Sequence, residues 1–236
     1  DALPWLPSEN LVAETENLDT AFGMAGALCR IAQLQAARIG ACGGKNGFGE
    51  AKVIFLPCDH YVEPTEIFGG DLRRALALAE RNALVTLGIK PIEPLSDYGY
   101  IIGEEKEKET DGRSGRWFYG RRFVEKPHRK QAAELLKSQN VFWNSGIYIG
   151  KAAAFADTLY KSLFAEKERN GVFLTDEEKI RLVREHLLSR RQKISFDKLV
   201  MEKGAADFLV AAANFRWDDL GTFGALAKYW RAQDGN

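Results

Sequence analysis

Apolar side chains recur at helical spacing early in the chain: Ala21, Met24, Ala25, Leu28, Ile31 and Leu34 share one face. The spacing predicts a helix over residues 19–39, with Gly40 as its stop. The stretch from Ala41 to Glu50 carries Gly43, Gly44, Gly47 and Gly49, which oppose a helix and predict a loop. Val53-Ile54-Phe55-Leu56 is a short, continuous apolar run. That is the pattern of a buried parallel strand, and it ends at Pro57-Cys58-Asp59-His60. Residues 64–81 predict a second helix, with Pro64 in its first turn and Leu72, Ala75, Leu76 and Ala79 as its stripe. Ala83 to Ile89 predicts a second buried strand. Strand, helix and strand in succession predict an α/β domain with a mainly parallel sheet. The right-handed crossover rule places both strand ends on one edge of that sheet.

Beyond residue 98 the pattern changes. Tyr98 to Ile102 and Trp117 to Tyr119 predict strands, with a charged, solvated hairpin tip from Glu104 to Gly115 between them. A helix is expected over 129–138, then a strand from Phe142 to Ile149 interrupted by Asn144-Ser145-Gly146. Helices follow at 151–165, 175–189 and 195–203, then the strand Phe208 to Ala211. Trp217-Asp218-Asp219-Leu220-Gly221 leads into a last helix over 222–232. No repeat or low-complexity stretch breaks the chain, so residues 1–236 read as a single domain.

Composition narrows the function. The 33 Lys+Arg balance 33 Asp+Glu, so no dominant electrostatic grip on nucleic acid or an anionic membrane is expected. A 45% hydrophobic content is enough to bury a core. No apolar run reaches the roughly 18 residues of a membrane span. Cys29, Cys42 and Cys58 form no CxxC pair, and no basic-then-apolar leader opens the chain. Both facts fit a reducing, cytoplasmic setting. His60, His128 and His186 are too scattered for a zinc set.

Several polar positions stand where chemistry is expected. Asp59 follows a predicted strand, and ligands of open α/β sheets bind outside the carboxyl ends of strands. A carboxylate there suits Mg²⁺, or equally caps the helix near Pro64. Asp218 and Asp219 form a second acidic point, one to cap a following helix and one to face inward. Two strand-end carboxylates suit a divalent-metal clamp on a phosphate-bearing ligand. Glu125-Lys126-Pro127 closes another segment. Lys126 suits phosphate and Glu125 sugar hydroxyls, or the two form a surface ion pair. Asn144 offers the donor and acceptor that a sugar diol requires, while Asn144-Ser145-Gly146 equally reads as a β-bulge. Gly99, between two tyrosines, either offers its backbone to a sugar or bends its strand.

The order of these motifs is more specific than any one of them. An apolar strand with Pro-x-Asp-His, then Tyr-Gly-Tyr-Ile, Phe-Val-Glu-Lys-Pro, Trp-Asn-Ser-Gly-Ile and Trp-x-Asp-x-Gly resembles the mannose-1-phosphate guanylyltransferases. The resemblance runs from about Leu6 to Trp230. It implies a Rossmann-like mixed sheet flanked by helices, the nucleotide-diphospho-sugar transferase (GT-A-like) fold. It also implies joining of GTP and mannose 1-phosphate to give GDP-mannose and pyrophosphate. By the same resemblance, Asp59 and Asp219 hold Mg²⁺ or another divalent cation. Glu125 and Asn144 hold sugar hydroxyls, Gly99 offers its backbone, and Lys126 approaches the sugar phosphate. The resemblance makes Asp59, Lys126 and Asp219 the catalytic set, and Glu14 a substrate contact near the base.

Two departures carry expectations of their own. Where the family has Glu-Pro-x-x-Arg-Asn-Thr-Ala, this chain has Glu14-Thr15-Glu16-Asn17-Leu18-Asp19-Thr20-Ala21. Replacing Arg-Asn by Leu18-Asp19 changes what a base pocket can read. The Gly-x-Gly-Thr-Arg triphosphate loop is also missing, and the chain opens on Asp1. The expectation is a fragment of a longer protein, N-terminally incomplete and inactive by itself. An uncovered sheet edge then invites association, with a homodimer as the partner it suggests. Two other functions fit the same residues: a non-catalytic, regulatory nucleotide-sugar binder, and a nucleotidyltransferase for another base or sugar.

Overall fold

The computed structural model describes residues 6–42, 47–105, 116–164, 173–204, 207–221 and 227. Contacts divide the chain into two compact units, each assembled from separate stretches. One takes Asp1–Val53 with Lys151–Ala206; the other takes Ile54–Gly150 with Asp207–Asn236. The backbone therefore passes between them after residues 53, 150 and 206.

The first unit is helical. Helix α1 (Thr20–Cys42) runs past Gly40, contrary to the expected stop. A glycine inside a helix costs only about 1 kcal/mol, which packing along the rest of the helix offsets. The other helices of this unit, α4 and α5, span Ala152–Phe164 and Asp176–Ser189. They bury Phe155, Leu159, Ile180, Val183 and Leu187. A capping box starts α5: Thr175 accepts from the Glu178 N–H, and Glu178 accepts from the Thr175 N–H at 2.8 Å. The helix expected over 195–203 is a π-helical turn, Asp197–Met201.

The second unit is built on a sheet. Its strands are β1 (Lys52–Phe55, entering from the first unit), β3 (Leu84–Ile89), β4 (Tyr100–Glu104), β5 (Trp117–Val124), β6 (Val141–Lys151) and β7 (Phe208–Ala212). Their order is β1-β6-β3-β7-β5-β4, and β4 pairs with β6 as well. The pairings thus complete a circuit, β3–β7–β5–β4–β6–β3. Among the pairs of this sheet with a described register, β3–β7 is parallel; β3–β6, β4–β5, β4–β6 and β5–β7 are antiparallel. The mixed α/β sheet holds, but the mainly parallel sheet does not. Beyond β3, β4 pairs antiparallel with β5, the next strand in sequence, as parallel neighbours joined by helical crossovers would not. The apolar run of β3 reflects burial of all six residues, not direction.

Helices α2 (Thr65–Ala79) and α3 (Arg129–Leu135) cover one sheet face. Ala75, Leu78, Ala79 and Leu135 share a core there with Val85, Leu87, Ile89 and Trp143. The opposite face carries Phe118, Phe142, Phe208 and Val210, and it needs glycines. A Cβ on Gly88 would collide with Val210 and Phe142, and one on Gly120 with the Phe208 ring. A separate two-stranded ribbon pairs β2 (Tyr61–Glu63) with β8 (Arg216–Asp218), two short strands absent from the sequence expectation. Residues 106–115 of the expected hairpin tip, and the expected last helix apart from residue 227, lie outside the described residues. Among those residues, no helix is long and apolar enough to cross a membrane.

Candidate functional site

Six of the seven candidate site residues lie in the second unit. Asp59 sits exposed in a bend between β1 and β2. The ribbon sets Tyr61 opposite Asp218 and Val62 opposite Trp217. Asp59 and His60 therefore enter β2 at the ribbon end where Asp218 and Asp219 leave β8. The Trp217 indole N–H donates to His60 Nδ1 at 3.0 Å, and the two rings meet edge-on. A bare Nδ1 leaves the neutral ring's proton on Nε2. Burial lowers the His60 pKa, while Asp59, Asp219 and Asp218 pull it back up. All three carboxylates act on this one ring.

Tyr98 closes the cluster. Its ring packs edge-on against Trp143 at 4.9 Å and Trp217 at 5.1 Å, and its hydroxyl bonds the Asp218 carboxylate. Burial, then Asp219, Asp218 and Asp97, raise its phenol pKa, so it stays a proton donor. Asp218 also accepts from the Leu220 N–H at 3.2 Å, and Asp219 from the Gly221 N–H at 2.9 Å. Each acid bonds the amide two residues on, and the start of the helix that one of them would cap lies outside the described residues.

Tyr98 leads directly into Gly99, whose carbonyl accepts from the Asn144 N–H at 2.8 Å. A Cβ on Gly99 would lie 2.7 Å from Phe123 Cζ and 3.0 Å from Glu125 Oε2. The Glu125 carboxylate thus lies across a position that only glycine leaves open. Exposed Lys126 follows with φ of 44°, a left-handed backbone that turns the chain sharply before Pro127. Asn144 is buried. Its side-chain oxygen accepts from Thr86 Oγ at 3.1 Å and its amide donates to the Tyr148 hydroxyl at 2.8 Å. Between Thr86–Tyr148 and Gly88–Asn144 the register slips, so the stretch around Ser145 and Gly146 is a bulge. Gly146, at φ of 69°, brings β6 within 3.5 Å of Pro57 and 3.8 Å of the His60 ring, measured from the Cβ it lacks. The bulge joins the Asn144 side of the site to the Asp59 side.

Glu14 belongs to the first unit, where its carboxylate lies against Gly23 of α1. Leu18 is buried in that unit, and its carbonyl accepts from the Ile194 N–H at 3.2 Å. In the glycine-rich loop, residues 43–46 lie outside the described residues. No group of three or more His, Cys, Asp and Glu side chains among the described residues is arranged to hold a metal ion. Asp59 and Asp219 flank the same end of the ribbon. Sequence reasoning missed His60, Trp217 and Tyr98 as members of the site. The signal was the β2–β8 pairing, which places His60 beside Trp217.

The nucleotidyl transferase family model matches residues 9–234. The chain belongs to the nucleotidyl transferase family. Relatives within it agree. A mannose-1-phosphate guanylyltransferase of Sinorhizobium fredii is 33% identical over 80% of this chain and 36% of its own length. One from Escherichia coli is 31% identical over 74% and 38%. This nucleotidyl transferase chain thus spans a little over a third of those curated relatives. A Thermus thermophilus structure described as a mannose-1-phosphate geranyltransferase superimposes with a TM-score of 0.66 at 29% identity, over 93% of this chain and 57% of its own. A Helicobacter pylori structure described as a mannose-6-phosphate isomerase, at 21% identity and a TM-score of 0.58, shares the fold.

Proposed function

We propose that the complete protein transfers GMP from GTP to mannose 1-phosphate, giving GDP-mannose and pyrophosphate. The observation that carries this is the gathering around His60 of Asp59, Asp218 and Asp219, continued through Tyr98-Gly99 to Glu125 and Asn144. On this reading, a phosphate oxygen of mannose 1-phosphate attacks the α-phosphorus as the bond to pyrophosphate breaks. Catalysis is positioning and charge neutralisation, with no covalent enzyme intermediate. Glu125 accepts from sugar hydroxyls, the Gly99 backbone flanks the sugar, and Lys126 neutralises its phosphate. Asn144, fixed by Thr86 and Tyr148, is the second residue given to the sugar hydroxyls.

Asp59 and Asp219 are the residues that would hold Mg²⁺. The donor set fits: Mg²⁺ commonly takes one or two carboxylates and completes its shell with water and phosphate oxygens. When bound, it supplies charge neutralisation at the phosphates. Tyr98 holds the neighbouring Asp218 carboxylate, and the Gly221 N–H holds Asp219. The Gly-x-Gly-Thr-Arg loop is absent from this sequence, so the reading gives these residues the sugar and metal part of the reaction. GDP-mannose formation by the 236 residues alone would overturn that division.

Buried Leu18 favours a second reading, another base or sugar, because an apolar core side chain reads no base edge. Titration calorimetry of the chain with mannose 1-phosphate and GDP-mannose, with and without Mg²⁺, tests the site. Binding that Asp219→Asn and Glu125→Gln both abolish supports it, and binding that neither affects refutes it. A substrate panel on the complete protein, with product detected by mass, separates the two readings.

A further inference from the structure

A cavity of about 610 Å³ opens in the second unit. It lies at one mouth of the closed strand circuit. Lys90 leaves the end of β3, Asn214 follows the end of β7, Arg116 precedes β5 and Asn140 precedes β6. None of Asp59, Gly99, Glu125, Lys126, Asn144 or Asp219 is among its described lining residues. Mouths of closed sheets are common ligand positions, and this volume lies in the range of small-molecule pockets.

The chemistry of the mouth is one-sided. Arg74, Lys90 and Arg116 line it, and no carboxylate does so among the described residues. Its floor is apolar: Phe118 and Phe142 pack with ring centroids 4.9 Å apart, and Val210 and Phe142 close over Gly88, which has no side chain in their way. The walls are ordered beforehand. Behind the cavity, buried Asp71 pairs with Arg74 and accepts from the Asn214 backbone N–H at 2.7 Å and its side-chain amide at 3.0 Å. One hidden carboxylate therefore fixes a cation and an amide donor on the same wall. On the other side the Arg116 guanidinium sits 5.4 Å from the Phe118 ring centroid. The Asn140 backbone is held in a left-handed turn by the Gly103 N–H, which donates to its carbonyl at 2.9 Å. Groups already held in place lose little entropy on binding.

We propose that this mouth is a second ligand site, which takes a small phosphate-bearing molecule. The cations and the Asn140 and Asn214 amides meet the phosphate oxygens, and the Phe118–Phe142 floor meets the apolar part of the molecule. Inorganic pyrophosphate in Mg²⁺-free buffer is the probe, followed by titration calorimetry at low and high salt. The expected result is saturable binding that weakens as salt rises. Lys90→Gln/Arg116→Gln weakens it about tenfold or more, because charge-assisted contacts are lost. Lys126→Ala/Asp219→Asn leaves it within about twofold. Lys90 and Arg116 are exposed, and circular dichroism confirms that the pair folds. If the double variant does not fold, each single substitution is read in its place, with the same direction expected. No saturable binding overturns the proposal, as does a loss in the cavity variant below about threefold. Binding that disappears with Lys126→Ala/Asp219→Asn and survives Lys90→Gln/Arg116→Gln also overturns it.

Discussion

Gly99→Ala tests how the sugar side of the site is built. The added methyl carbon would lie 2.7 Å and 3.3 Å from Phe123 Cζ and Cε2, and 3.0 Å from Glu125 Oε2. Carbon pairs prefer about 3.5–4.0 Å, so the first contact is too close by roughly 0.8 Å or more. Phe123 is 5% exposed and has little room to move, whereas Glu125 is half-buried and can swing away. Overpacking of this kind costs about 1–3 kcal/mol. At about 2–4 °C per kcal/mol for a chain of this size, Tm should fall by roughly 2–12 °C. If Glu125 binds the sugar as proposed, displacing its carboxylate removes a charge-assisted bond. That loss weakens mannose 1-phosphate by about tenfold or more. Differential scanning calorimetry reads the first effect and titration calorimetry the second. Glu125→Gln separates them: it adds no bulk, so affinity falls while Tm holds. A Gly99→Ala protein with unchanged Tm and unchanged affinity refutes the reasoning, because neither crowding nor the carboxylate would then matter.

Three further outcomes are expected. Thr175→Ala removes the capping box of α5 and should cost about 1 kcal/mol, read by urea denaturation. Asp71→Ala strips the partner from Arg74 and from both Asn214 donors, and should cost several kcal/mol, on the order of 3–5, by the same measurement. The Asp157 carboxyl, bonded by Lys161 and Lys179, is held below the usual carboxylate value; burial pushes it up, but the two lysines outweigh burial. The unfolded chain therefore takes up this proton first on acidification. The stability involved is present above about pH 4 and is lost as pH falls through the lower folded value. Asp157→Asn should flatten the fall of Tm with pH in that acid range, and an unchanged slope would refute the assignment.

The long helices α1, α2, α4 and α5 were legible because each repeats its apolar face over three or more turns. β2 and β8 were not, since three residues carry no period. Their pairing is also what sets His60 beside Trp217, so the same gap hid part of the site. Asp59, Glu125, Asn144 and Asp219 were legible as polar residues at strand ends or inside a strand. Their neighbours were not: Thr86 and Tyr148 hold Asn144 from positions 58 residues before and four after it. Sheet direction failed for a different reason. The apolar run of β3 records that both its faces and both its edges are covered, and an antiparallel neighbour covers an edge as well as a parallel one.

The three passages of the backbone between the two units bear on how the chain is made. A ribosome delivers residues in order, at about 5–20 per second. The helical unit takes residues from both sides of the sheet unit's first stretch and is incomplete until Ala206 has emerged. The sheet unit begins at Ile54 and waits still longer for β7 and β8. Neither unit can finish before residue 206 is out, so β3 to β6 spend that interval without the strand that closes their circuit. Exposed strand edges are then available to other chains, and slow or stalled translation beyond residue 150 is the moment at which this protein is most exposed to aggregation.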